Sequence, residues 1–92
     1  MVTYILKFQE NSLYDFNEGL SYYKKISKTL AERFFDEFWI CVADLKKNPN
    51  ACQIRYLNIR IIQIQRFPFT IHFLIENNVI YVQRVLHDKR YY

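Results

Sequence analysis

One glycine and two prolines in 92 residues leave no room for a Gly-rich loop around a phosphate, a collagen-like repeat or a flexible linker. The single Gly19 falls inside a segment of helical periodicity. Two cysteines, Cys41 and Cys52, are too few for a disulfide scaffold, and with two histidines at no close spacing they make no zinc site. Two reduced thiols and no cofactor are expected. No run of 18 apolar residues occurs, so no membrane span is expected. The opening apolar stretch to Leu6 is too short for a signal peptide, which points to the cytoplasm. Nucleophile elbow, His-Glu-x-x-His pair and paired carboxylates are all missing, so no small-molecule substrate is expected.

Aromatic residues are plentiful: eight Phe and eight Tyr can fill the core of a single domain spanning residues 1–92. Val2 to Phe8 reads as a strand. Ser12 followed by Asp15 looks like a capping box, and Leu13, Phe16, Leu20, Tyr23 and Ile26 then form one helical stripe over 13–26. Thr29 with Glu32 signals a second helix over 29–47, with the stripe Leu30, Phe34, Phe38, Cys41 and Leu45. Asn48-Pro49-Asn50 stops it. So short a link between helices predicts an antiparallel hairpin.

Three strands follow, over 58–66, 69–76 and 79–87, broken at Phe67-Pro68 and Asn77-Asn78. The fold class is therefore α+β: strand–helix–helix–strand–strand–strand, with the helical hairpin on a small curved, mainly antiparallel sheet of about four strands. Two-residue turns would pair Glu76 with Val79 and Arg66 with Phe69. One face then collects Ile62, Ile64, Ile71, Phe73, Ile75, Ile80, Val82 and Leu86, together with Arg60, Arg66 and Arg84. The other is half polar, with Gln63, Gln65, His72 and Gln83.

Charge is unevenly placed. Residues 1–52 carry seven cations and seven carboxylates, whereas residues 53–92 carry six cations, five of them Arg, against Glu76 and Asp88. Arginine holds carboxylates and phosphates by two parallel hydrogen bonds, so this half is suited to an acidic partner. Arg66 and Arg84 on an apolar face either pair with helix carboxylates such as Glu18 or Asp36, or reach the rim and hold that partner. His72 and His87 read as hydrogen-bonding surface groups rather than bases, no nucleophile standing at readable spacing. Phe35 and Trp39 exceed what one helical stripe needs and are candidate contact residues.

The Tyr22-Tyr23 pair, the run Leu30-Ala31-Glu32-Arg33-Phe34-Phe35-Asp36-Glu37, the Asn48-Pro49 stop and the pairs Arg55-Tyr56 and Ile59-Arg60 form a pattern. It continues through Arg66-Phe67-Pro68-Phe69-Thr70-Ile71-His72-Phe73 and closes on Val82-Gln83-Arg84-Val85-Leu86-His87-Asp88-Lys89-Arg90. This resembles the RelE/ParE superfamily of type II toxin–antitoxin toxins, also called plasmid stabilisation proteins, over residues 4–90. The resemblance implies a growth-inhibiting toxin neutralised by a cognate antitoxin. RelE-like members cut messenger RNA on the ribosome, with cations on the strands flanking the second turn, whereas ParE-like members inhibit DNA gyrase. Here Thr70 and Gln63 or Gln65 stand where the nuclease branch has cations, and neutral side chains cannot offset the charge on a cleaving phosphate. The ParE-like branch is implied, with gyrase as target. Arg60, Arg66, Arg84, Arg90, Phe35 and Trp39 are the candidate antitoxin or target contacts. The alternatives are a ribosome-dependent nuclease using His87, Arg84, Arg90 and Tyr92, and a non-toxic adaptor or degenerate toxin.

Overall fold

The computed structural model describes residues 3–90, and of Arg90 the backbone alone. The order is β1 (Ile5–Phe8), α1 (Glu10–Ile26), α2 (Lys28–Lys47), a 3-10 turn (Pro49–Ala51), β2 (Ile54–Tyr56), β3 (Ile59–Gln63), β4 (Phe69–Glu76), β5 (Val79–His87) and a second 3-10 turn (Asp88–Arg90). The five strands lie in the order β1-β5-β4-β3-β2. β1 runs parallel to β5, and the other pairings are antiparallel. The α+β class and its order agree with the sequence reading. β2, which pairs with β3 at the sheet edge, is an addition to it.

A single residue joins the helices. The Ser27 N–H donates to the Tyr23 carbonyl, closing α1, while its Oγ accepts the Leu30 N–H at 3.3 Å, opening α2. The start of α1 differs from expectation. Gln9 precedes the first turn, and Ser12 lies inside it, donating to the Gln9 carbonyl at 2.7 Å. Asp15 is released from capping for another task, described below.

The buried face of the sheet joins the aromatic stripe of the hairpin. Phe34, with no exposed surface, has ring centres of Phe16, Tyr23, Phe67 and Phe69 between 5.1 and 5.7 Å away. Gly19 permits this approach: a Cβ there would stand 3.1 Å from Phe34 Cζ and 3.4 Å from Phe69 Cε2. Ile64, Ile71, Phe73, Ile80 and Val82 close the core from the sheet side.

Two register details depart from the expected pattern. β3 meets β4 as Gln63↔Thr70, two places from the expected Arg66–Phe69 pairing, because the connection is a longer loop in which Arg66 adopts φ 69°. An even shift leaves each side chain on its face, so Ile62 and Ile64 still point as expected. Between β4 and β5, Glu76↔Val79 holds as far as Phe73↔Val82, then His72 pairs with Arg84, leaving Gln83 as an extra residue. This bulge inverts the rest of β5. Val85 enters the core in place of Leu86, and Arg84 joins the open face instead of the apolar one.

Candidate partner-binding surfaces

Each of the three expected arginines with a described side chain has an internal partner. Arg84 Nε and Nη2 donate to the Asp15 carboxylate at 2.7 and 3.0 Å, a two-pronged pair. The same carboxylate accepts the Val85 N–H at 3.0 Å. β1 ends at Phe8 opposite Val82, so beyond that point β5 has no strand on its β1 side, and Asp15 supplies an acceptor that a strand would otherwise provide. The Asp15 pair holds the Arg84 guanidinium more firmly protonated. Arg66 Nη1 donates to Glu37 at 2.6 Å on the surface. Arg60 Nη1 donates to the Cys52 carbonyl and, at 3.4 Å, to that of Asn50, fixing the turn before β2. The helix carboxylates that hold Arg84 and Arg66 are thus Asp15 and Glu37.

The polar face carries a hydrogen-bonded chain. Tyr56 Oη stands 2.8 Å from His72 Nδ1, and His72 Nε2 stands 2.9 Å from Thr70 Oγ1, which also reaches the Leu86 carbonyl at 3.3 Å. A carbonyl can only accept, so Thr70 donates to it and accepts from Nε2–H, leaving Nδ1 to accept the Tyr56 hydroxyl proton. This assignment is that of neutral His72. Burial, then the Arg84 charge, pushes its pKa down, against the pull of Asp15. His72, expected at the surface, is buried, and its partner Tyr56 comes from the strand that sequence periodicity missed. Gln63 is also internal: its Nε2 donates to the carbonyls of Phe67 and Phe69 at 2.8 and 2.9 Å, plugging the β3–β4 loop.

Of the expected nuclease residues, the two with described side chains, Arg84 and His87, do not come together. His87 lies on the opposite side of β5 from Arg84, stacked edge-on against Phe69 at 5.2 Å, and its Nδ1 accepts the Lys89 N–H at 3.1 Å. It borders a cleft of about 650 Å3 between α1 and the free end of β5, lined also by Tyr14, Tyr22 and Leu86. The Arg90 side chain and Tyr92 lie outside the described residues.

Phe35 and Trp39 are brought together. They are 45% and 43% exposed, with ring centres 6.2 Å apart, and Trp39 packs edge-on against Phe8 at 5.8 Å. Together they form an apolar ridge on α2 beside β1, able to receive the apolar face of a partner segment.

The sequence model of the ParE toxin of type II toxin–antitoxin systems (parDE) matches residues 15–92. The chain belongs to the ParE toxin family. Its fold is also that of a solved chain from the chromosomal ParDE toxin–antitoxin system of P. aeruginosa, with a TM-score of 0.81 at 19% identity, covering 92% of this chain and 96% of that one. No curated protein matches the sequence. Within this ParE toxin, no described helix is long and apolar enough to cross a membrane. Among the described residues no group of three or more His, Cys, Asp or Glu side chains is placed to hold a metal ion.

Proposed function

We propose that this ParE-family toxin arrests growth by binding a macromolecular target, DNA gyrase, rather than by cutting RNA, and that a cognate antitoxin neutralises it. The separation of Arg84 from His87 across β5 carries this reading. A general base and the cation that offsets charge on the cleaving phosphate must reach one scissile bond. Here the two stand three residues apart on a regular stretch of strand, which puts them on opposite faces, and Asp15 already engages Arg84. Thr70 and Gln63, standing where the nuclease branch has cations, are committed to internal hydrogen bonds. The ridge of Phe35 and Trp39 suits the antitoxin: an amphipathic segment that folds on binding would bury these rings.

Brief expression without the antitoxin tests the target. The expected result is growth arrest with intact messenger RNA, altered plasmid supercoiling and a DNA-damage response. Rapid message loss, abolished by His87→Ala or Tyr92→Phe, would establish RNA cleavage instead. Full growth would leave a harmless member of the family.

A further inference from the structure

The β2–β3 hairpin turns on two residues, Leu57 and Asn58, both at positive φ (43° and 66°). Hairpin turns of this kind favour Asn or Gly at both central positions, since a Cβ on the left-handed backbone meets the following carbonyl. Asn58 suits its place, whereas Leu57 does not. Leu57 is also 88% exposed, so no burial within the chain offsets its conformation. Local strain of this sort collects at functional contacts and persists only where the surroundings enforce it.

Here the surroundings do enforce it. From one side the Tyr56 hydroxyl reaches across β3 to His72 at 2.8 Å. From the other, Arg60 grips the Cys52 and Asn50 carbonyls at the base of β2. The tip is held rigid while its apolar side chains stay out: Ile54, 54% exposed, accompanies Leu57. Along the chain, the segment that holds the tip carries charge of one sign. Between Asp44 and Glu76 the sequence has five cations (Lys46, Lys47, Arg55, Arg60 and Arg66) and no carboxylate. Among the described residues, Arg55, next to the tip, has no hydrogen-bond or ion-pair partner.

Resting on the toxin reading above, we propose that the β2–β3 hairpin tip, with Leu57 as its apolar anchor and Arg55 beside it, is the surface that engages the toxin's protein target, an apolar socket rimmed by carboxylates. A rigid anchor loses little entropy on docking, which favours affinity. The sheet order puts the hairpin at the opposite edge from β1 and the Phe8–Trp39 ridge. Target and antitoxin would thus hold different ends of the sheet. An exposed leucine favours a protein socket over the phosphates of nucleic acid, which cations alone would satisfy.

The substitution Leu57→Asn tests this in a direction opposite to ordinary damage. It relieves the turn, so the melting temperature should rise by about 4 °C, while growth arrest is lost and affinity for purified gyrase falls by about tenfold or more. The control Asn58→Gly keeps Leu57 and the turn, and should arrest growth like wild type. Both variants should still co-purify with the product of the adjacent antitoxin frame. A Leu57→Asn protein that arrests growth as wild type does would overturn the proposal. So would loss of antitoxin binding instead, loss of a toxin dimer instead, or binding to bare duplex DNA that depends on Arg55 and not on Leu57. Wild-type protein that arrests growth without binding gyrase would sink the gyrase target alone; the growth phenotype of Leu57→Asn would then still decide the role of the hairpin.

Discussion

Replacing Asp15 by Ala and by Asn separates the two tasks of one carboxylate. The side chain is 6% exposed, and it accepts from both the Val85 N–H and Arg84. Alanine orphans the buried amide, at a cost of about 2 kcal/mol. It also removes the ion pair. Arg84 is 45% exposed and rehydrates, so that loss is discounted to about 1 kcal/mol or less. The sum, about 3 kcal/mol, is large against the roughly 5–15 kcal/mol that holds a domain folded. Asparagine keeps an oxygen for Val85 and loses only the charge, so about 1 kcal/mol should go. Urea titrations read both values from the midpoint at unchanged slope, and the melting temperatures should fall by about 12 °C and about 4 °C. Hydrogen exchange at the Val85 amide should accelerate in the alanine variant and stay slow in the asparagine one. Equal losses in the two variants would refute the reasoning, because the backbone cap would then contribute nothing.

His72 has its pKa depressed in the folded protein, so its contribution to stability is present above its ordinary value of 6.5 and is lost as pH falls through the folded value. Thermal melts should show a decline in stability below pH 6.5, and His72→Gln should flatten that part of the curve. Trp39→Ala and Phe35→Ala should each weaken antitoxin capture by about tenfold or more, measured by calorimetry at a temperature where each variant is fully folded, and each should also lower the melting temperature, since both rings are partly buried. Gly19→Ala gains helix propensity, but its Cβ meets Phe34, whose ring cannot yield in a packed core. A net loss of about 1 kcal/mol should appear in urea titration. Burial pushes the Cys41 thiol up to about 12, further than Cys52, so iodoacetamide at pH 8 should label Cys52 first, as peptide mapping would show.

Strong periodic signals read correctly. The stripe through Phe34, Phe38, Cys41 and Leu45 and the alternation in β4, and in β5 as far as Val82, placed the core, because many apolar positions vote together. What escaped depended on single residues. β2 was missed because Leu57-Asn58 lacks turn chemistry at its first position and the strand is three residues long. The bulge at Gln83 left its mark only as a cation, Arg84, on an apolar face, yet it decides the side on which Arg84, Leu86 and His87 lie. Asp15 looked like part of a cap because its partners, Arg84 and Val85, lie 69 and 70 positions along the chain. The family pattern was legible nonetheless, since it rests on residue identities and not on register.

The paired arginines bear on how this toxin meets its partners. Composition alone assigns the C-terminal cations to an acidic partner, but Arg84 and Arg66 already have one within the chain. An incoming carboxylate would have to displace Asp15 or Glu37. At Arg84 that would also strip the acceptor from the Val85 N–H, so the exchange is unfavourable unless the partner satisfies that amide too. Arg66 is far more exposed, and a surface pair of this kind gives way at a cost of about 1 kcal/mol or less. The two arginines therefore differ in kind: Arg84 is a structural element of the bulge, while Arg66, and Arg55 with no partner among the described residues, are open to exchange. Arg66→Gln and Arg55→Gln should slow association with an acidic partner at low salt and converge on wild type as salt rises. Arg84→Gln should instead lower stability at every salt concentration.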